Sequence, residues 1–247
     1  MESKGTRDGL FFMGFFLAAS IVFAAWISTN TILQVKAQEK TIKVKGVAEK
    51  IVRADKGVWG ATVRARGNDL KSAYATLNRD MNKVLVFLKE SGIPEEWTGT
   101  SPVRTMTINV YDRQGRPTGD VAGYEMEQEV QVGSDKVEAI RDIAKKSSSL
   151  ISQGVDLMAR SPEYFCSDLT GVKNELIGQA TRNARERAGQ FASGSGLKVG
   201  QLNSAQQGVF QITPPDSVDV AGYGMYDTST IEKKVRSVVT VEFTMAR

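Results

Sequence analysis

Apolar and polar positions alternate with a period of two in several stretches beyond residue 40. Ile42, Val44, Gly46 and Ala48 share one face of Thr41–Ala48, while Thr41, Lys43 and Lys45 share the other. Trp59, Ala61, Val63 and Ala65 repeat the pattern against Thr62, Arg64 and Arg66. At the far end Val235, Ser237, Val239, Val241, Phe243 and Met245 alternate with Arg236, Thr240, Glu242 and Thr244. Successive strand side chains point to opposite faces, so these segments predict strands with one buried and one wet face. Val103–Tyr111 and Tyr124–Val132 flank the turn-rich stretch 112–120 and predict a long hairpin. Tyr124, Met126, Val130 and Val132 lie on one face of its second strand, and Glu125, Glu127 and Glu129 line the other.

Elsewhere the apolar period lengthens to that of a helix. Leu70, Ala73, Tyr74, Leu77, Met81, Val84, Leu85 and Leu88 form a stripe that begins after a cap at Asn68 and closes at Gly92. A second stripe follows Ser134 through Val137, Ile140, Ala144, Ser147 and Ile151 to Gly154, and Val155–Ala159 then predicts a short strand. The longest helix is expected over about 167–192, with Leu169, Val172, Leu176, Ala180, Ala184, Ala188 and Phe191 inward. Its many alanines permit close approach of a neighbour. Leu197–Ile212 reads as weaker extended chain and Thr213–Thr230 as a Gly-, Pro- and Asp-rich loop. The pattern predicts an α+β fold of mixed, mostly antiparallel sheets with helices packed on one face. Two small lobes are expected, one of about 41–118 with 200–247, the other of about 119–199.

The N-terminus has no such periodicity. Leu10–Ile27 carries no charge, and no charge appears before Lys36. At about 1.5 Å per residue the strictly apolar part spans about 27 Å, and adding 28–35 exceeds the ~30 Å hydrocarbon core. Residues 10–33 are therefore expected as a transmembrane anchor, with 1–9 a cytoplasmic tail and 34–40 a linker. A cleaved signal peptide is the other reading, since Lys4 and Arg7 supply a basic start and Val35-Lys36-Ala37 could be a cleavage site. The lysines at 36, 40, 43 and 45 oppose the positive-inside rule, but a nine-residue N-terminal tail without a domain is easier to leave in the cytoplasm. The expected location is the inner (cytoplasmic) membrane, single-pass, with the bulk of the chain in the periplasm.

Composition narrows the chemistry. The chain of 247 residues contains no histidine, which removes the commonest general base and metal ligand together. One cysteine, Cys166, cannot form an intrachain disulfide and reads as a small buried hydrophobe. Thirty-two basic and 28 acidic residues are mixed along the sequence, so charge points to no nucleic-acid partner. The Glu125, Glu127, Glu129 face could attract a hard cation, although alternation on a wet sheet face explains it equally and cross-strand Lys or Arg would neutralise it. Arg182, Arg185, Glu186 and Arg187 read as a solvated helix face rather than an anion patch. Gly222 and Gly224 lack the third glycine of a dinucleotide site. Tyr223, Met225 and Tyr226, in the same loop, are candidates for a contact surface.

Several segments resemble the SIMPL domain family, bacterial envelope proteins of the periplasmic immunogenic protein and oxidative stress defence protein type. They are Ile42-Lys-Val-Lys-Gly46, Asp80-Met-Asn-Lys-Val84 leading into Leu88-Lys-Glu-Ser-Gly-Ile93, Gly123-Tyr124, the Ala- and Arg-rich 180–192 before Gly196-Leu197, and Val235–Phe243. The chain departs from the family pattern at Ile93-Pro-Glu-Glu-Trp97-Thr-Gly-Thr100 and at Arg53-Ala-Asp55-Lys. The resemblance implies an exported α+β domain that assembles into homo-oligomers, and it carries over no catalytic residue, metal ligand or cofactor. The expected function is a non-catalytic, membrane-anchored interaction domain with a role in envelope integrity or stress tolerance. The alternatives are a small-molecule or metal-binding module and, last, a hydrolase built on carboxylates such as Asp135 or Glu138.

Overall fold

The computed structural model describes residues 13–14, 17–29, 40–218 and 222–246. Residues 17–29 are helical. The rest of the expected 10–33 span, apart from 13 and 14, lies outside the described residues, as do the 1–9 tail and 34–39. Among the described residues no helix is long and apolar enough to cross a membrane.

The folded part is α+β. Its strands are β1 (Thr41–Arg53), β2 (Lys56–Gly67), β3 (Thr98–Thr100), β4 (Arg104–Tyr111), β5 (Pro117–Ser134), β6 (Asp156–Ala159), β7 (Glu163–Phe165), β8 (Lys198–Gln207), β9 (Gln211–Thr213), β10 (Met225–Tyr226) and β11 (Glu232–Ala246). Four helices accompany them: α1 (Leu70–Glu90), α2 (Val137–Lys146), α3 (Ser149–Ser152) and α4 (Thr170–Gly194). One sheet runs β1-β11-β9-β10, with β8 also on β11; the other runs β3-β5-β2-β6, with β4 on β5 and β7 on β2. β8 and β9 on β11, β5, β6 and β7 on β2, and β3 and β4 on β5 pair antiparallel, while β10 pairs parallel with β9.

The chain divides into two compact units, and β1, α4 and β11 run through both. Among the described residues, the larger unit comprises 49–176, 209–218 and 222–237. Its core sets Trp59, Ala61, Val63 and Ala65 of β2 and Met126, Val130 and Val132 of β5 against Leu77, Met81, Val84 and Leu88 of α1 and Ile140 and Ile143 of α2. Helix α1 starts one residue later than expected: Asp69 caps it, accepting from the Ser72 amide at 2.9 Å, and Ser72 completes a capping box. Leu70 and Tyr74 are half exposed, so the buried stripe is narrower than the sequence suggested. The expected helix after Ser134 is broken into α2 and α3, which turns Leu150 inward and leaves Ile151 outside. Gly154 ends it at φ +82°, a conformation that favours glycine.

Among the described residues, the smaller unit comprises those up to 48 with 177–208 and 238–246. Val44 and Ala48 of β1 and Val239, Val241 and Phe243 of β11 are buried with Ala180, Ala184, Ala188 and Ala192 of α4. Phe191, expected inward, is 64% exposed; four alanines already fill that stripe at helical spacing.

The lobe boundaries expected from sequence are not those observed. They would separate 41–118 from 119–199, but β2 pairs with β5 over eleven residues, from Gly57↔Ser134 to Gly67↔Tyr124. That ladder holds both segments in the larger unit.

Candidate functional surface

The three glutamates of β5 lie on a charged sheet face. Register places Glu125 opposite Arg66, Glu127 opposite Arg64 and Glu129 opposite Thr62 on β2. On the other side of β5, Arg104 of β4 is directly opposite Glu127, and beyond β2 Asp156 of β6 is opposite Arg64. Arg104, Glu127, Arg64 and Asp156 therefore form one row of alternating sign across four strands. Glu127 accepts from Arg64 at 3.1 Å, Glu125 accepts from Arg66 at 2.5 Å, and Glu129 pairs with Arg160. Glycine at position 60 makes room for that last pair, because a Cβ there would overlap the Arg160 guanidinium. A cation arriving at this face would have to displace arginines already bound to each carboxylate. Among the described residues no group of three His, Cys, Asp or Glu side chains is placed to hold a metal.

Beside this row is a cleft of about 440 Å³ lined by Thr62, Ser101, Pro102, Val103, Arg104, Glu127 and Glu129. The carboxylates at 135 and 138 do not meet there. Glu138 is engaged by Arg53.

The loop expected as a contact surface is tied down at its end. Tyr223 is 90% exposed, but Met225 and Tyr226 form β10 against β9, and the Tyr226 hydroxyl accepts from the Cys166 amide at 3.4 Å. Burial pushes the Cys166 thiol up, which leaves it less reactive than a free cysteine. Asp227 follows and accepts from the Ser229 hydroxyl at 2.7 Å, from the Thr230 amide at 3.2 Å and from the Lys233 ammonium at 3.2 Å. Lys233 is fully buried and also donates to the Thr230 carbonyl at 2.6 Å. Burial pushes the Asp227 carboxyl up, yet the hydrogen bonds from Thr230, Ser229 and Lys233 outweigh it and hold it far below the ordinary carboxylate value. Sequence reasoning missed this pair, because Lys233 continues the alternation of β11 on its apolar side and nothing local marks it as buried.

The strand edges differ sharply in cover. On β1 the Val47 amide donates to the Asn183 side chain at 3.1 Å, and Arg187 donates to the Lys45 carbonyl at 3.3 Å. Gly46 makes this possible: a Cβ there would overlap the Ala180 carbonyl and crowd Ala184, so helix α4 lies directly against the strand. By contrast β8, at another edge, pairs among the described residues with β11 alone and is exposed over most of its length. No charged residue occurs between Lys198 and Asp216. In the hairpin, β4 pairs among the described residues with β5 alone, and Met106, Val110, Tyr111 and Val121 are exposed.

With this architecture in view, the sequence comparison identifies the class. Residues 42–243 match the SIMPL family, described as a protein of unknown function (DUF541), and the chain belongs to that family. No curated protein matches the sequence. Several solved structures show distant similarity. A de novo designed protein, Foldit4, has 17% identity and a TM-score of 0.24, with 42% of this chain and 93% of that one covered. An amidase of the hydantoinase/carbamoylase family from Burkholderia phymatum has 14% identity and a TM-score of 0.29, over 49% of this chain and 32% of that one. A hydrolase from Listeria innocua has 9% identity and a TM-score of 0.22, over 80% and 91%.

Proposed function

We propose that this SIMPL-family chain is a membrane-tethered, extracytoplasmic domain that acts by assembling with copies of itself and catalyses no reaction. The observation that carries the reading is the unequal treatment of strand edges. The β1 edge is capped by Asn183 and Arg187, whereas β8, among the described residues, is open and carries no charge after Lys198 at its start. Natural sheets blunt edges with charge, proline or cover, and an edge without them is a template for another strand. A second copy offers the same self-complementary, amide-rich edge. The tether reading rests on the uncharged run from Leu10 to Val35 and on the exposed Leu17, Ile21, Val22, Phe23 and Trp26 of the 17–29 helix. The orientation, with the bulk of the chain in the periplasm, and the role in envelope integrity or stress tolerance are both drawn from the family resemblance.

A charge placed in the middle of the open edge tests self-assembly. Ala205→Lys is expected to reduce the particle mass measured by light scattering while leaving the thermal midpoint unchanged. An unaltered mass would remove β8 as the assembly edge.

A second reading, a small-molecule module, is favoured by the cleft beside Arg104, whose guanidinium makes no ion pair among the described residues. Titration calorimetry with divalent cations and small carboxylates would separate the two, since flat heats would eliminate the module.

A further inference from the structure

One end of the smaller unit has a composition that self-assembly does not explain. Its residues 40–48, 177–208 and 238–246 carry seven Lys and Arg against two acidic residues, Glu186 and Glu242. The described residues of the larger unit, 49–176 with 209–218 and 222–237, hold 21 basic and 22 acidic groups. The positive surplus of the folded part is thus concentrated in the unit whose first strand follows directly from the apolar N-terminal segment.

Contacts along β1 fix how the basic residues are distributed. Val47 meets Asn183, Gly46 meets Ala180 and Ala184, and Lys45 meets Arg187, so α4 runs antiparallel to β1. From Lys45 back to Thr41 the strand covers about 13 Å at ~3.3 Å per residue. From Arg187 on to Gly194 the helix covers roughly 10 Å at 1.5 Å per residue. The helix C-terminus therefore reaches the end of the unit where β1 begins. Lys198, the first residue of β8, is paired with Ala246, and the Lys40 carbonyl accepts from the Met245 amide at 2.7 Å, so both lysines belong to that same end. Lys43, Lys45 and Arg187 follow within a few residues. Lys43 and Lys45 lie on the exposed face of β1, away from α4; on α4, one turn beyond Arg187 towards the same end, Phe191 is exposed, although the apolar pattern turns it inward.

We infer that this end of the unit rests on an anionic bilayer surface, with Lys40, Lys43, Lys45, Arg187 and Lys198 over lipid phosphates and Phe191 seated in the headgroup layer. The inference rests on the tether proposed above. A linker of seven residues, 34–40, spans at most about 25 Å, so the first strand cannot leave the neighbourhood of the membrane. Basic groups held there meet a concentrated layer of negative charge within reach of their field. An exposed aromatic ring at the same end of the unit suits the interfacial layer.

The test uses the full chain reconstituted into phosphatidylcholine vesicles with or without about 30 mol % phosphatidylglycerol, which supplies the anionic surface. Flotation on neutral vesicles in ~0.5 M salt, where the Debye length is roughly 4 Å, reports the tether alone. Amide hydrogen exchange of 40–46 and 187–200 reports the docking. The expected result is flotation on both vesicle types, with exchange in these two segments slowed several-fold only on anionic vesicles. The slowing should vanish in ~0.5 M salt and in the Lys43→Glu, Lys45→Glu, Lys198→Glu triple variant, whose exchange on neutral vesicles matches that of the parent. A chain that floats but exchanges identically on both vesicle types overturns the docking and leaves the tether standing. A chain that does not float on neutral vesicles removes the tether, and the docking with it.

Discussion

Gly46 of β1 lies so close to Ala184 of α4 that a single methyl group on the strand would collide with the helix backbone and with the Ala184 side chain. This contact sets the helix near enough for Asn183 and Arg187 to reach the strand edge. One missing side chain thereby governs both the packing of the smaller unit and the closure of one of its edges.

Substitution at this position is accordingly expected to be severe. Gly46→Ala should destabilise the protein by about 1–3 kcal/mol through overpacking, and Gly46→Val by more. For a domain of this size that corresponds to a fall in thermal midpoint of roughly 2–4 °C per kcal/mol, read by circular dichroism. A Gly46→Ala variant with an unchanged midpoint would show that α4 can retreat freely.

Asn183→Ala should cost about 1 kcal/mol by leaving the Val47 amide without its side-chain acceptor. It should also expose a second strand edge. The measurement is particle mass against concentration: the variant is expected to form larger or more heterogeneous particles than the parent, and an identical distribution would show that the cap has no protective role.

The alternating row on the β4-β5-β2-β6 face makes a small, salt-dependent contribution. Glu127→Gln leaves Arg64 and Arg104 flanking a neutral residue and is expected to cost under about 1 kcal/mol at low salt, fading as salt rises. Adding Arg64→Gln should make the loss smaller than the sum of the two single substitutions. Urea melts of the four proteins at two salt concentrations give the coupling, and a salt-independent value would contradict an electrostatic origin.

Asp227 gives the protein an acid-sensitive element. Its carboxyl titrates lower in the folded chain than the ordinary value near 3.9. A depressed folded value adds stability that is fully present above the unfolded value and is lost as pH falls towards the folded one. Stability is therefore expected to hold above about pH 5 and to decline below about pH 4. Asp227→Asn should lower stability at neutral pH, because Lys233 stays buried without its counter-charge, and should flatten this part of the acid slope. Denaturant midpoints from pH 3 to pH 7 measure both effects.

The elements that could be read from sequence are those whose signal is local. The alternation of β2 and β11 and the stripe of α1 place Trp59, Val63, Val241, Phe243, Leu77 and Val84 inward, and all are buried. The misplaced features depend on partners distant in sequence. The β2–β5 ladder decides which segments share a unit, yet no residue in either strand encodes the register by itself. The break between α2 and α3 interrupts an apolar stripe that reads as continuous. Phe191 fits a helical stripe that is already complete without it, so the periodicity overcounts. The glutamate face was visible, but the arginines that neutralise it come from β2 and from the Arg160 segment, and their positions follow only from the fold.

Particle mass of the intact chain tests the central claim most directly. Light scattering coupled to size exclusion, on the full chain in mild detergent across a hundred-fold concentration range, is expected to give a discrete multiple of the 26.9 kDa protomer after subtraction of detergent. A protomer mass at every concentration would contradict an account in which the open β8 edge exists to receive a second copy.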